Sequence, residues 1–401
     1  MAQSHTHSTP VFRNPPALVP SAPAGGRSSD SLKPSSLAHR GIPDVGIAGE
    51  RRRGRGTLSN VSGRYESIAR IAFDDGWQSL EELPPFATTV SVDSTRKIVT
   101  RNESPDISFD RSINPYRGCE HGCVYCFARP THAYLGLSPG LDFESKLFVK
   151  PDAPALLEKE LSAPNYQPRT IAIGTKTDPY QPIERKYQVM RGILEVLERA
   201  GHPVGIVTKS ALILRDVDIL ARLAERNLVK VALSVTTLDA KLARSMEPRA
   251  ATPGRRLEAL RQLSAAGIPT SVMVAPIIPA INDADIERIL DAAALAGVNG
   301  AGYVMLRLPL EVRDLFIEWL KANYPDRTEH VMKLVREMRG GKDYDATWGT
   351  RMTGAGPYAW MIGRRFEKAC DKLGLNKHKR PLTTEHFRSP KPRAEQLSLF
   401  G

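Results

Sequence analysis

From residue 170 onward, short apolar runs alternate with longer stretches whose apolar residues recur at three- and four-residue intervals. TIAIGTKTD is followed by YQVMRGILEVLERAG, HPVGIVTKS by VDILARLAERN, and VKVALSVTT by RRLEALRQLSAAG. IPTSVMVAPIIP is followed by DADIERILDAAALAG, and GAGYVMLRLP by VRDLFIEWLKANY. Several of the helical stretches end in Gly, which takes the left-handed cap conformation without steric cost. With the segment before Cys119, the pattern predicts about six βα units. Strands joined by helical crossovers lie parallel, so the predicted class is α/β, a partial (βα)6 TIM-like barrel over 111–325. Such barrels carry their chemistry at the C-terminal ends of the strands. There the sequence places TKTD, TKS, SVTT, APIIP and RLP, and the loop after the first strand opens on the same face.

The flanks read differently. Residues 1–60 are rich in Pro, Ser, Gly and Arg without apolar period and predict a disordered basic tail. Residues 61–110, including TTVSVDSTRKIVT, predict an N-terminal extension, 326–380 a helical cap, and 381–401 a flexible tail. Within the cap, Tyr344, Trp348, Tyr358 and Trp360 interleave with Arg351, Arg364 and Arg365. That mixture suits either stacking on an unpaired base or the packing of the cap itself. No apolar run approaches the roughly 20 residues that span a bilayer, and the first residues lack a secretory layout. The expected compartment is the cytoplasm, with no membrane association.

Charge sharpens the picture. The net charge is +12. Residues 1–60 hold eight Lys/Arg against three Asp/Glu, and 371–401 hold seven against three, so most of the excess lies at the ends. Basic ends favour a polyanion through counterion release, and they also serve solubility.

The chain has four cysteines, and three of them fall in CEHGCVYC, at Cys119, Cys123 and Cys126. Eight residues cannot hold a disulfide framework. Pro115, Gly118 and Gly122 disfavour a helix that would simply bury the thiols. A closed zinc site wants four ligands, and His121 is poorly placed to be the fourth. Three thiolates suit a four-iron cluster with one iron left open; zinc and a redox thiol pair are the alternatives. Cys370, in RRFEKACDKLG, reads as a buried structural thiol.

C-x3-C-x-aromatic-C after the first strand of a partial barrel resembles the radical S-adenosylmethionine (SAM) superfamily. The later segments resemble its spore photoproduct lyase-like branch, over roughly residues 110–310. The resemblance implies a [4Fe–4S] cluster on Cys119, Cys123 and Cys126, S-adenosylmethionine on its open iron, and an electron donor such as flavodoxin or ferredoxin. It implies Tyr125 beside the adenine, Lys209 of VTKS at the cofactor carboxylate, and Ser234 of LSVTT facing its polar groups. Ala275 and Pro276 of MVAPIIP would lie nearby, and SMEPRAATP matches a following segment through Glu247 and Pro248. The lyase's second strand ends in a hydrogen-donating cysteine. Here that tip holds Thr175, Lys176, Thr177 and Asp178, which become the candidates for meeting cofactor or substrate. Thymine-lesion lyase activity is therefore not expected, and a repair-type reaction on DNA is. Action on RNA or protein, or a non-catalytic iron–sulfur adaptor, are the alternatives.

The final residues QLSLF resemble the short peptide by which bacterial repair proteins dock on the DNA sliding clamp. Leu397, Leu399 and Phe400 would be apolar anchors and Gln396 a rim contact.

Overall fold

The structure is a computed structural model describing residues 52–66, 86–377 and 381–390. Two sheets organise it. The larger has seven strands in the order β10-β9-β8-β7-β6-β3-β2. Their ranges are β2 (Val99–Arg101), β3 (Arg111–Ile113), β6 (Ile171–Ile173), β7 (Val204–Thr208), β8 (Val229–Ser234), β9 (Thr270–Ile277) and β10 (Gly300–Met305). The six strands from β3 to β10 run parallel, whereas β2 pairs antiparallel with β3 at the edge. This is the expected six-unit partial barrel, with one edge strand added from the extension.

The central strands β6, β7, β8 and β9 bury alternate residues. On β8, Val229, Val231 and Leu233 are fully buried. The crossover helices meet them with one apolar stripe. In Val189–Ala200 that stripe is Val189, Met190, Ile193, Leu194, Val196, Leu197 and Ala200, and Gly201 ends the helix at φ +59°. Register sets the rim: Ile173 pairs with Ile206, Thr208 with Leu233 and Ser234 with Met273. The strands end progressively further along this register, β9 continuing past Met273 to Ile277.

The second sheet, in the order β1-β5-β4, was not legible in the pattern. It joins β1 (Thr89–Val92), β4 (Tyr116–Arg117) and β5 (Lys146–Val149) beside the cysteine loop.

The cap consists of helices Thr328–Glu337 and Gly356–Leu373 with the segment 338–355 between them. Helix Gly356–Leu373 covers the outer side of β10, where Phe366 packs on Tyr303 at 4.8 Å. Asn376 then mimics a partner strand, accepting from the Ala301 N–H and donating to its carbonyl, both at 3.0 Å. The cap arginines are committed to carboxylates: Arg364 to Glu367, Arg365 to Glu287 and Arg351 to Asp106. Tyr358 donates to Asp283. Arg351, Arg365 and Tyr358 thus serve the packing of the cap, while Trp348 and Trp360 stay exposed. The Arg351 pair has a topological consequence. Met352 accepts from the N–H of Met305 on edge strand β10, while Asp106 lies in the loop joining β2 to β3. The two edges of the sheet are therefore tied to each other.

Two tail boundaries also move. Residues 52–60 were expected to be disordered but pack on the cysteine loop, because Gly56 and Thr57 find buried hydrogen-bond partners there. Residues 381–390, expected to be flexible, dock at the strands' N-terminal ends. Phe387 lies against Tyr166 and His202, and Arg388 N–H donates to Ala200. Residues 1–51 and the QLSLF segment lie outside the described residues. Among the described residues, no helix is long and apolar enough to cross a membrane.

Candidate iron–sulfur and cofactor site

The cysteine loop leaves β4 and is shaped by two glycines in the left-handed region, Gly118 at φ +73° and Gly122 at φ +67°. Space forbids side chains there as well: a Cβ on Gly118 would stand 2.6 Å from Leu147, and one on Gly122 2.8 Å from Glu144. The loop is then clamped from four sides. Gln181 accepts from Glu120 N–H at 2.9 Å and donates to the Gly118 carbonyl at 3.2 Å. Val124 N–H donates to Met246 and Arg249 N–H to His121, which seats the 246–249 segment along the loop. The fully buried Arg129 donates to the Cys123 carbonyl at 3.0 Å and to Glu144 at 2.6 Å.

The fourth clamp is the strap at 52–60. Glu144, also fully buried, accepts from Gly56 N–H at 2.8 Å, Thr57 N–H at 3.0 Å and the Thr57 hydroxyl at 3.1 Å. Arg55 donates to the Glu144 carbonyl at 2.6 Å and to Phe86 at 2.7 Å. Gly56 runs so close that a Cβ on it would lie 1.7 Å from the Gly122 carbonyl oxygen. Only glycine can sit there.

Cys119 and Cys123 are buried, and Cys126 is half-buried. Burial pushes the Cys119 thiol well up, and Asp178, Cys123 and Cys126 add to it by charge repulsion. Burial likewise raises Cys123, opposed first by the nearby Lys209 cation. Among the described residues, no three His, Cys, Asp or Glu side chains converge as one metal ion requires. A four-iron cluster distributes its thiolates over separate irons, and three clustered, glycine-framed thiols fit it with one iron open.

Above the loop stand the strand tips. Lys209, after β7, holds its ammonium 5.8 Å from the Tyr125 ring centroid. Tyr125 is buried and its hydroxyl donates to Glu247, with Thr236 at 3.4 Å. Glu247 also accepts from Thr236 at 2.5 Å and from the buried Arg256, whose guanidinium donates to the Ser234 carbonyl at 3.0 Å. One buried ion pair thus links the cysteine loop to the end of β8. Helix Ala240–Met246 delivers Glu247, and Asp239 caps that helix by accepting from Lys241 N–H at 2.7 Å. The Ala275–Pro276 peptide at the end of β9 is cis, and Asn282 pins it by donating to the Pro276 carbonyl at 2.9 Å and to Thr236 at 2.7 Å.

The tip after β6 is less free than its sequence suggested. Thr177 donates to the Tyr116 carbonyl at 2.9 Å. Asp178 accepts from Thr208 and from Lys209 N–H, each at 2.7 Å, with His121 Nδ1 at 3.4 Å. Burial would raise Asp178, but His121, Thr208 and the Lys209 N–H together hold it down at about 2. Thr175 accepts from Asn114 at 3.2 Å, and the Lys176 side chain is exposed. Thr177 and Asp178 brace the rim, leaving Thr175 and Lys176 as the freer pair. Sequence reasoning missed Gln181, Arg129, Glu144, Arg256 and the strap, none of which carries a local signature.

The family model described as the radical SAM superfamily matches residues 113–293. An uncharacterized protein of Mycobacterium tuberculosis (strain ATCC 25618 / H37Rv) is 39% identical over 232 residues, which cover 57% of this chain and 68% of that protein. The radical SAM Nα-GlyT isomerase of Pseudomonas phage M6 is 24% identical over 265 residues, covering 65% of this chain and 51% of its own. Among solved structures, spore photoproduct lyase complexed with dinucleoside spore photoproduct aligns with a TM-score of 0.50 at 17% identity, over 71% of this chain and 80% of that chain.

Proposed function

The chain belongs to the radical SAM superfamily, and from that premise we infer that it uses a 5′-deoxyadenosyl radical to modify a nucleic acid, DNA first. Its cofactors are a [4Fe–4S] cluster and S-adenosylmethionine. When bound, they supply one-electron reductive cleavage of the sulfonium, giving methionine and the 5′-deoxyadenosyl radical.

The chain's own residues account for placement. Cys119, Cys123 and Cys126 hold the cluster, and Arg129 and Gln181 fix the backbone between them. Lys209 offers a cation beside Tyr125 for the cofactor carboxylate. The Tyr125–Glu247–Arg256 network holds the aromatic wall and the Ser234 carbonyl in one position without a side chain free to rotate. Ala275 and Pro276 line the next tip. The observation that carries the reading is the joint placement of three thiols and Lys209 under one rim of parallel strands.

DNA is favoured by the basic ends and by the QLSLF peptide, read as a sliding-clamp ligand through Gln396, Leu397, Leu399 and Phe400. Lesion cleavage of the photoproduct kind is not part of the proposal, because no thiol stands at the β6 tip. The test is anaerobic incubation of reduced, reconstituted protein with S-adenosylmethionine and, in parallel, DNA, RNA or protein, followed by mass spectrometry. Release of 5′-deoxyadenosine together with a mass change confined to DNA is expected. A change confined to RNA or protein refutes the substrate assignment, and absence of 5′-deoxyadenosine refutes the enzyme.

A further inference from the structure

Two guanidiniums at the barrel mouth have no carboxylate partner among the described residues. Arg307 follows β10 and lies over the ring of Phe127, 5.0 Å from its centroid, and Phe127 is the residue after Cys126. Its Nη2 donates to the Tyr344 hydroxyl at 3.2 Å, its Nη1 points at the Met352 sulfur at 3.7 Å, and its buried Nε has no partner. Arg339 is 2% exposed and donates to the Thr350 carbonyl at 2.9 Å and the Leu306 carbonyl at 2.8 Å; its buried Nε is also unpartnered. Asp345 is the acidic group near them, and its oxygens are engaged by Thr347 and Thr350. Burial, then the Arg307 charge, weakens Arg339's hold on its proton.

Elsewhere this chain pairs its buried arginines: Arg129 with Glu144, Arg256 with Glu247. Two neighbouring cations with orphaned N–H groups are costly without an anion. The planar guanidinium fork suits a phosphate oxygen pair, and the half-exposed Phe127 ring offers an adjacent stacking face.

The geometry points to an oxyanion site formed by Arg307 and backed by Arg339, which positions the substrate through a phosphate group. It rests on the nucleic-acid reading above for the identity of the phosphate's owner, but not for the site itself. Arg307 is a positioning residue here. Lys209 stands apart from it, on the β7 side of the mouth.

The test is calorimetric titration of anaerobic holoprotein with thymidine 5′-monophosphate, thymidine, glycerol 3-phosphate and acetate. The nucleotide should bind at least tenfold more tightly than thymidine. Arg307→Gln should bring the two to parity, and Arg307→Lys should restore part of the preference, a rescue that a purely structural role would not give. If glycerol 3-phosphate binds as tightly as the nucleotide and both weaken in Arg307→Gln, the oxyanion site stands while the nucleic-acid reading loses its support. Equal binding of thymidine and its phosphate by the wild type overturns the site. So does acetate binding as tightly as glycerol 3-phosphate, or an Arg307→Gln effect confined to S-adenosylmethionine.

Discussion

Replacing Glu144 by Gln tests whether the strap belongs to the cluster site. Glu144 and Arg129 form a fully buried ion pair at 2.6 Å, and the same carboxylate holds Gly56 and Thr57. Glutamine keeps the volume but leaves the Arg129 charge without its counter-charge. Breaking one partner of a buried pair costs about 3–5 kcal/mol. The amide would also turn an N–H toward one of the strap donors, orphaning it for roughly 1–3 kcal/mol more unless the strap lifts. Strap release relieves the second cost, so the expected global loss is about 3–5 kcal/mol. At about 2 cal/mol/K of unfolding entropy per residue, a fold of this size would then melt roughly 5–8 °C lower. The assay is anaerobic calorimetry of the apoprotein, paired with proteolysis near residue 55 and iron content after reconstitution. Early cleavage at the strap and poorer iron retention should accompany the melting shift. An apoprotein within about 1 kcal/mol of wild type that retains full iron would refute the argument that Glu144 joins strap to loop.

Other outcomes follow from the same geometry. Changing any one of Cys119, Cys123 or Cys126 to Ala should abolish the brown chromophore and the release of 5′-deoxyadenosine, whereas Cys370→Ala should leave both in place. Lys209→Ala should raise the S-adenosylmethionine Kd by tenfold or more while iron and sulfide content stay at wild-type levels; an unchanged Kd removes Lys209 from the site. His132 and His202 are held neutral by burial, with pKa values of about 4 against an ordinary 6.5. The folded state thus binds fewer protons than the unfolded one, and stability should be full above pH 6.5 and fall toward pH 4 by up to about 3 kcal/mol per histidine. His202→Phe should flatten that acid limb in urea titrations. A peptide ending in QLSLFG should bind a bacterial sliding clamp at micromolar concentration, and the double change Leu399→Ala, Phe400→Ala should abolish it.

The barrel was legible because its signal is local. Most strands and helices between 170 and 323 announce themselves within a dozen residues, the short helix Ala240–Met246 being an exception, and the β3 strand was placed by the cysteine motif that follows it. The site was half legible. The thiols, Lys209 and Glu247 sit in short distinctive strings, but what makes them rigid is long-range. Tyr125 meets Glu247 across 122 positions, and Gly56 meets Glu144 across 88. No window of sequence contains both ends of such a contact. RRGRGT, residues 52–57, has the composition of a disordered tail and is ordered only because a buried carboxylate waits for its amides. The segment 381–390 is similar: polar and proline-bearing, yet held by the aromatic Phe387 and by hydrogen bonds of its backbone to Ala200 and Asn227. KLFV, the β5 strand, is four residues long and stands outside the alternation of strands and helices that marks the barrel.

The Arg351–Asp106 tie makes a hoop of what the strands alone would leave a horseshoe. The loop that carries Asp106 leads into the start of β3, so the clasp braces the sheet's two margins. Its charged hydrogen bonds are largely shielded from solvent, so brine should loosen it little, whereas protonating Asp106, whose carboxyl the Arg351 hydrogen bond holds below its ordinary range, should let the margins part before the strands themselves let go.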